Sequence, residues 1–143
     1  MFAVQQGSID VASWAQLLED HGAGAVVVFE GRVRNRADGR AVEGLTYEAH
    51  EVLAVKEGER ILAEALQRFA IQRAAAVHRV GPLAIGECAV WVGVAAEHRS
   101  AAFSACSFVI DEIKARVPIW KHERYETGEA AWVEGQRPRP EEV

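Results

Sequence analysis

Pro118 divides the stretch DEIKARVPIWKHE into two conformations, and no other single residue restricts the fold as much. Upstream of it, Phe103, Cys106, Ile110, Ile113 and Val117 repeat at 3-4-3-4 spacing, the pattern of a helix with one face on a core. A proline disfavours helical geometry in its predecessor, so this helix is expected to end near Arg116, and PIWKHERY to run extended. The helix follows ECAVWVGVAA, a run of strand length that is apolar on both faces and reads as a buried strand. A buried strand, a core-facing helix and a further strand in direct succession predict a mixed α/β chain.

The remaining elements are read in the same way. Asp10 is a candidate N-cap for a helix over VASWAQLLEDHG, with Trp14, Leu17 and Leu18 on one face and Gly22 at its end. GAVVVFEG is a β-branched run of strand length, followed by the basic loop RVRNRADGR. AVEGLTYEA alternates as a returning strand, predicting an antiparallel pair across that loop. From Glu51 to Arg73, Val52, Val55, Ile61, Leu62, Ala65, Leu66 and Phe69 suggest a long helix, locally weakened by Gly58. AAAVHRV is a short strand, Gly81-Pro82 a turn, ETGE another turn and AAWVEG a last strand, while QRPRPEEV has the composition of a loosely held tail. The expected division is one domain over residues 1–135 and a flexible tail over 136–143.

With 143 residues, half of them apolar, the chain can bury about two-thirds of its unfolded surface in a single core. Its net charge of −5 argues against a general nucleic-acid binder. Yet Arg32, Arg34, Arg36 and Arg40 lie within nine residues, which suggests a specific anion. Cys88 and Cys106 sit in apolar surroundings without CxxC spacing and read as reduced core thiols. The five histidines occur singly, without HxH or HExxH spacing, so no metal site is expected. Neither a basic segment before an apolar run at the N-terminus nor a membrane-length apolar stretch is found, and a cytoplasmic location is expected.

Only three of the sixteen basic residues are lysines, and two of these, Lys114 and Lys121, flank Pro118-Ile119-Trp120. Arginine keeps its proton, whereas a partly desolvated lysine can act as acid, base or nucleophile near neutral pH. Trp120 is expected to exclude water beside the two amines. Simpler roles remain open: Lys114 can pair with Asp111 and with the negative end of its helix, and Lys121 can guard a sheet edge. His98-Arg99-Ser100 falls where a buried strand meets a helix N-terminus and could hold a phosphate or carboxylate. Equally, Ser100 could cap the helix and Arg99 pair with Glu97. Three segments thus each place cations at the end of an element, where α/β proteins commonly build ligand sites.

The segments GAVVVFEGRVRN, HRVGPLAIGE, VWVGVAAEHRSAAFSA, DEIKARVPIWKHE and WVEG, in this order, resemble the large, catalytic subunit family of molybdopterin synthase, the MoaE family. The similarity runs from about residue 24 to residue 135, and its patterns are specific in combination. It implies an α/β-hammerhead fold with an added antiparallel β subdomain. It also implies a homodimer that carries a small ubiquitin-like subunit at each end, making a heterotetramer. The small subunit bears a C-terminal Gly-Gly thiocarboxylate and is expected to be a separate chain. Its sulfur is transferred twice to cyclic pyranopterin monophosphate, forming the dithiolene of molybdopterin without a further cofactor. Carried over position by position, the family's substrate segments fall on Arg32, Val33 and Arg34, on His98 and Arg99, and on Lys121, His122 and Glu123. Its central active-site lysine falls on Lys114. Arg32 stands where lysine is frequent in the family, Ile113 where leucine is common, and His122 where a basic residue is usual.

By resemblance, Arg34, His98 and Arg99 hold phosphate and pterin, Lys114 stabilises the reaction intermediate and moves protons, and Lys121 binds phosphate or the tail carboxylate. Preorganised cations are most effective where negative charge develops. Two rivals differ in chemistry. A non-catalytic scaffold binding a ubiquitin-like tail or an organic phosphate would need the cations without the amines, and a cysteine-based sulfur carrier would need Cys88 or Cys106.

Overall fold

A computed structural model describes residues 1–128 and 130–132 of the chain. Val133, Glu134 and Gly135, the two C-terminal arginines Arg137 and Arg139, and the expected tail at 136–143 lie outside the described residues. In chain order the elements are β1 (Phe2–Gln6), α1 (Val11–Gln16), β2 (Ala25–Arg32), β3 (Arg36–Ala37), β4 (Arg40–Ala49) and α2 (Glu51–Arg68). They continue with β5 (Ile71–Ala84), β6 (Cys88–Ala96), α3 (Arg99–Arg116), β7 (Ile119–Tyr125) and β8 (Ala130–Trp132).

The strands hydrogen-bond in the order β2-β6-β5-β4-β7-β8, with β1 parallel to β5 and β3 against β4. This is the expected α+β architecture: a helix-covered sheet joined to a second antiparallel sheet. β6 is central because both of its faces are apolar. Toward one face, Val90, Val92 and Val94 meet Ile61 and Leu62 of α2 and Val109 and Ile113 of α3. Toward the other, Trp91 and Ala95 pack with Leu18 and Trp14. Burial of Trp91 at 1% exposure contributes about 1.5–3 kcal/mol or more.

The handover at Pro118 is as expected: α3 ends at Arg116 and β7 begins at Ile119. Asp10 caps α1, its carboxylate accepting from the Ser13 amide at 3.3 Å and the Ser13 hydroxyl at 2.7 Å. Five expectations are corrected. α1 stops at Gln16 rather than Gly22, and α2 at Arg68 rather than Arg73. β4 does not pair with β2; it lies between β5 and β7, while β2 pairs with β6. A strand buried on both faces needs a neighbour on each edge, and β2 fills one edge of β6. Gly81-Pro82 does not end β5: with Gly81 at φ 92° the strand passes from pairing with β6 to pairing with β4. Phe103 is 62% exposed, because the buried stripe of α3 is formed by Ala102, Ala105, Cys106, Val109, Ile110 and Ile113, with Phe103 just off its edge.

Among the described residues no helix is long and apolar enough to cross a membrane. Arg116 ties α3 to α2 through Glu57 at 2.6 Å and Glu64 at 2.5 Å, with Glu112 at 3.7 Å on its own helix. That contact fixes the C-terminal end of α3, the end that carries Lys114.

Candidate functional site

A cavity of about 550 Å³ opens where the end of β2, the middle of β4 and β5, the start of β6, the last turns of α3 and the start of β7 converge. Strand alternation decides what faces it. Ile119, Lys121 and Glu123 share one face of β7, opposite Tyr47 and Leu45 of β4 in register, while Trp120 and His122 project to the other side. Arg32, Arg34, Lys114 and Lys121 all line the cavity, against apolar walls that include Ile110, Ile113 and Ile119. A neighbouring recess of about 40 Å³ adds Val33, Arg36 and Glu123.

The two lysines differ in their surroundings. Lys121 lies 3.4 Å from Glu123, a carboxylate 4% exposed that also accepts from the Tyr125 hydroxyl at 3.0 Å. Lys114 makes no ion pair among the described residues, so the pairing with Asp111 is not formed. It is exposed on the cavity rim. The expected shielding by Trp120 is corrected: that ring packs on Trp132 at 6.3 Å, on the far side of β7 from the amines. His122 also stacks on Trp132, at 5.0 Å, and does not enter the cavity.

Arg32 is weakly held by Glu30 at 3.5 Å, and Arg34 has no ion pair among the described residues. Val33 between them is buried, with its amide donating to the Glu87 carbonyl at 3.0 Å and its carbonyl accepting from Gly86 at 2.8 Å. These bonds anchor the arginine pair to the β5–β6 turn. That turn is closed by an ion pair between Arg79 and Glu87. The Arg79 guanidinium and the Ala84 amide hold the Glu87 carboxyl below its ordinary range, the amide having the larger effect.

His98 and Arg99 are not brought to this cavity. They stand at the N-terminal end of α3, and the fifteen helical steps from Arg99 to Lys114 span about 22 Å. His98 is the N-cap residue without a side-chain capping bond, and its Nε2 lies 3.6 Å from Glu97 at the surface. Ser100 lies inside the first turn and is not the cap.

Two cavity residues carried no signal as site residues in the sequence, His78 and Tyr47. His78 lies in an apolar strand run and is 7% exposed; its Nδ1 is 2.9 Å from the Arg79 carbonyl. Burial, aided by the charge of Lys114, pushes its pKa down to about 4. Burial, aided by Glu123, pushes the Tyr47 phenol up to about 12. The only signal available was a polar residue within AAAVHRV, which also fits a satisfied core histidine. The thiols are not activated: burial raises Cys106 to about 11, and burial followed by Glu30 raises Cys88.

The lowered His78 pKa predicts a stability slope. The unfolded chain binds a proton at His78 below about pH 6.5, which the folded chain refuses until about pH 4. Stability therefore falls as pH drops through that window, by on the order of 3 kcal/mol in total. Denaturant melts of wild type and His78→Gln at successive pH values check this: the variant should lose that part of the slope. Parallel curves would contradict it.

The sequence profile of the family described as MoaE protein matches residues 4–116. A molybdopterin synthase catalytic subunit of Pyrococcus abyssi is 48% identical over 124 residues, covering 87% of this chain and 83% of that protein. Another of Pseudomonas aeruginosa is 44% identical over 135 residues, covering 93% and 89%. Among solved structures, molybdopterin synthase from Staphylococcus aureus superposes with a TM-score of 0.88 at 35% identity, covering 92% of this chain and 96% of that one. A chain from a complex of subunits 1 and 2 of the molybdopterin-converting factor of Helicobacter pylori, 21% identical, shares the fold with a TM-score of 0.73 over 95% and 92% of the two chains.

Proposed function

The chain belongs to the MoaE protein family, and from that premise we propose that its cation-lined cavity is the sulfur-transfer site of a molybdopterin synthase catalytic subunit. The substrate in this reading is cyclic pyranopterin monophosphate. The sulfur donor is the thiocarboxylated Gly-Gly tail of a small ubiquitin-like subunit. The observation that carries the reading is the meeting of Arg32, Arg34, Lys114 and Lys121 around a cavity of about 550 Å³, large enough for a small heterocyclic phosphate.

Arg32 and Arg34, set by the buried anchor Val33, bind the phosphate. Lys121, oriented by Glu123, binds phosphate or the carboxylate left on the tail. Lys114 keeps an uncommitted amine at the rim. Entry of the tail covers it, removes water, and lets it donate or accept protons as sulfur replaces oxygen on the pyranopterin side chain. His122 supports β7 from the far side through Trp132. Cys88 and Cys106 stay in packing roles, and the site chemistry falls to residues 1–135, in a cytoplasmic protein.

His98 and Arg99 fit this reading in a homodimer, where each subunit presents its α3 N-terminus to the cavity of the other. Subunit mixing tests the arrangement. His98→Ala/Arg99→Ala and Lys114→Ala homodimers should each be inactive, and mixed dimers should recover activity through one intact site. No recovery on mixing would contradict a site shared between subunits. A scaffold that only binds would tolerate Lys114→Arg, whereas a lysine working through its proton would not. Loss of turnover with retained phosphate affinity in that variant is the expected result.

A further inference from the structure

His78 and Tyr47 meet edge to face, with ring centroids 4.7 Å apart at 74°, and both line the cavity. The Arg79 carbonyl accepts from the His78 ring at 2.9 Å, which places the hydrogen on Nδ1 and leaves a lone pair on Nε2. No described residue bonds to that Nε2. The Tyr47 hydroxyl also has no hydrogen-bond partner among the described residues. Both residues line the ligand-sized cavity, so a group bound there is the available partner for the two atoms. Burial keeps the imidazole unprotonated and the phenol protonated over the physiological range. One is thus a fixed acceptor and the other a fixed donor.

The cations around the cavity account for the anionic part of a ligand. This pair carries no charge, and an anion, which only accepts, would leave the Nε2 lone pair without a donor. We propose that His78 Nε2 and the Tyr47 hydroxyl recognise the uncharged ring system of the substrate, accepting from a ring N–H and donating to a neighbouring ring acceptor. The assignment rests on the functional reading above, since a pyranopterin offers amide-type N–H and C=O groups on one edge. A site built around such groups discriminates strongly against a ligand that lacks them.

Calorimetric titration of the full chain with cyclic pyranopterin monophosphate and, separately, with inorganic phosphate tests the pair. His78→Phe keeps the aromatic contact and removes the acceptor; it should weaken pyranopterin binding about tenfold or more and leave phosphate binding unchanged. Tyr47→Phe should weaken the same ligand selectively, and His78→Gln, which restores an acceptor near Nε2, should recover part of the loss. Wild-type affinity for the pyranopterin in both phenylalanine variants would overturn the proposal. So would equal weakening of both ligands, which would mean the residues only shape the cavity. Wild-type protein that binds phosphate but no pyranopterin would overturn the functional reading itself, a result distinct from either of these.

Discussion

Replacing Lys114 with alanine is expected to abolish molybdopterin formation while leaving the chain folded. Lys114 is exposed and makes no ion pair among the described residues, so its removal breaks no ion pair within the fold. A positioned proton-transfer group contributes about 10²–10⁴-fold to rate, and the same amine stabilises developing charge, so the combined loss should reach at least the upper end of that range. Single-turnover assays with a thiocarboxylated small subunit measure it, with thermal melts alongside. Lys121→Ala should behave differently. Lys121 is paired with Glu123, and its loss should raise KM more than it lowers kcat, while leaving the buried Glu123 carboxylate without its cation. Turnover near wild type in Lys114→Ala would assign the chemistry elsewhere.

Gly58→Ala is expected to destabilise the protein by about 2 kcal/mol, opposite to what helix propensity alone gives. Gly58 lies in α2, where alanine would favour the helix by about 1 kcal/mol. A Cβ there would overlap the ring of Phe2, which is 3% exposed in the main core. The ring cannot move outward freely, because the Phe2 amide donates to Glu59 at 2.8 Å and β1 is fixed in register along β5. Chemical denaturation would show a lower midpoint at unchanged slope; a raised midpoint would mean that β1 shifts without loss.

Phe2 and Gly58 also show where a sequence stops being legible. Their meeting joins residues far apart in the chain, and neither carries a pattern that names the other. Local patterns were sufficient for α3, β6 and the change of conformation at Pro118, since each depends on a run of neighbouring residues or on one steric rule. Pairing was less accessible. Alternation in AVEGLTYEA predicted a strand but not its partners, and hairpin proximity favoured β2 where the two-faced β6 took that edge instead.

The site divides along the same line. The cations of the GRVR segment and the lysines around Pro118 were visible, because an arginine-rich chain places its few lysines there. Which face each occupies was not visible until β7 was known to start at Ile119. That phase turns Lys121 and Glu123 inward and Trp120 and His122 outward. His78 resembled a core histidine from its apolar neighbours, and only the cavity beside it gives it another role. His98 and Arg99 matched the family pattern while standing about a helix length from Lys114, a distance that a motif match along the chain does not reveal.

Sulfur transfer to a pyranopterin in this cavity is open to direct assay: the chain is incubated with a thiocarboxylated small subunit and cyclic pyranopterin monophosphate, molybdopterin is followed by its oxidised fluorescent derivative, and the small subunit by mass. Molybdopterin should form, with two tails converted from thiocarboxylate to carboxylate for each molecule made. Intact thiocarboxylate and unchanged pyranopterin, under conditions where a related synthase turns over the same reagents, would contradict it.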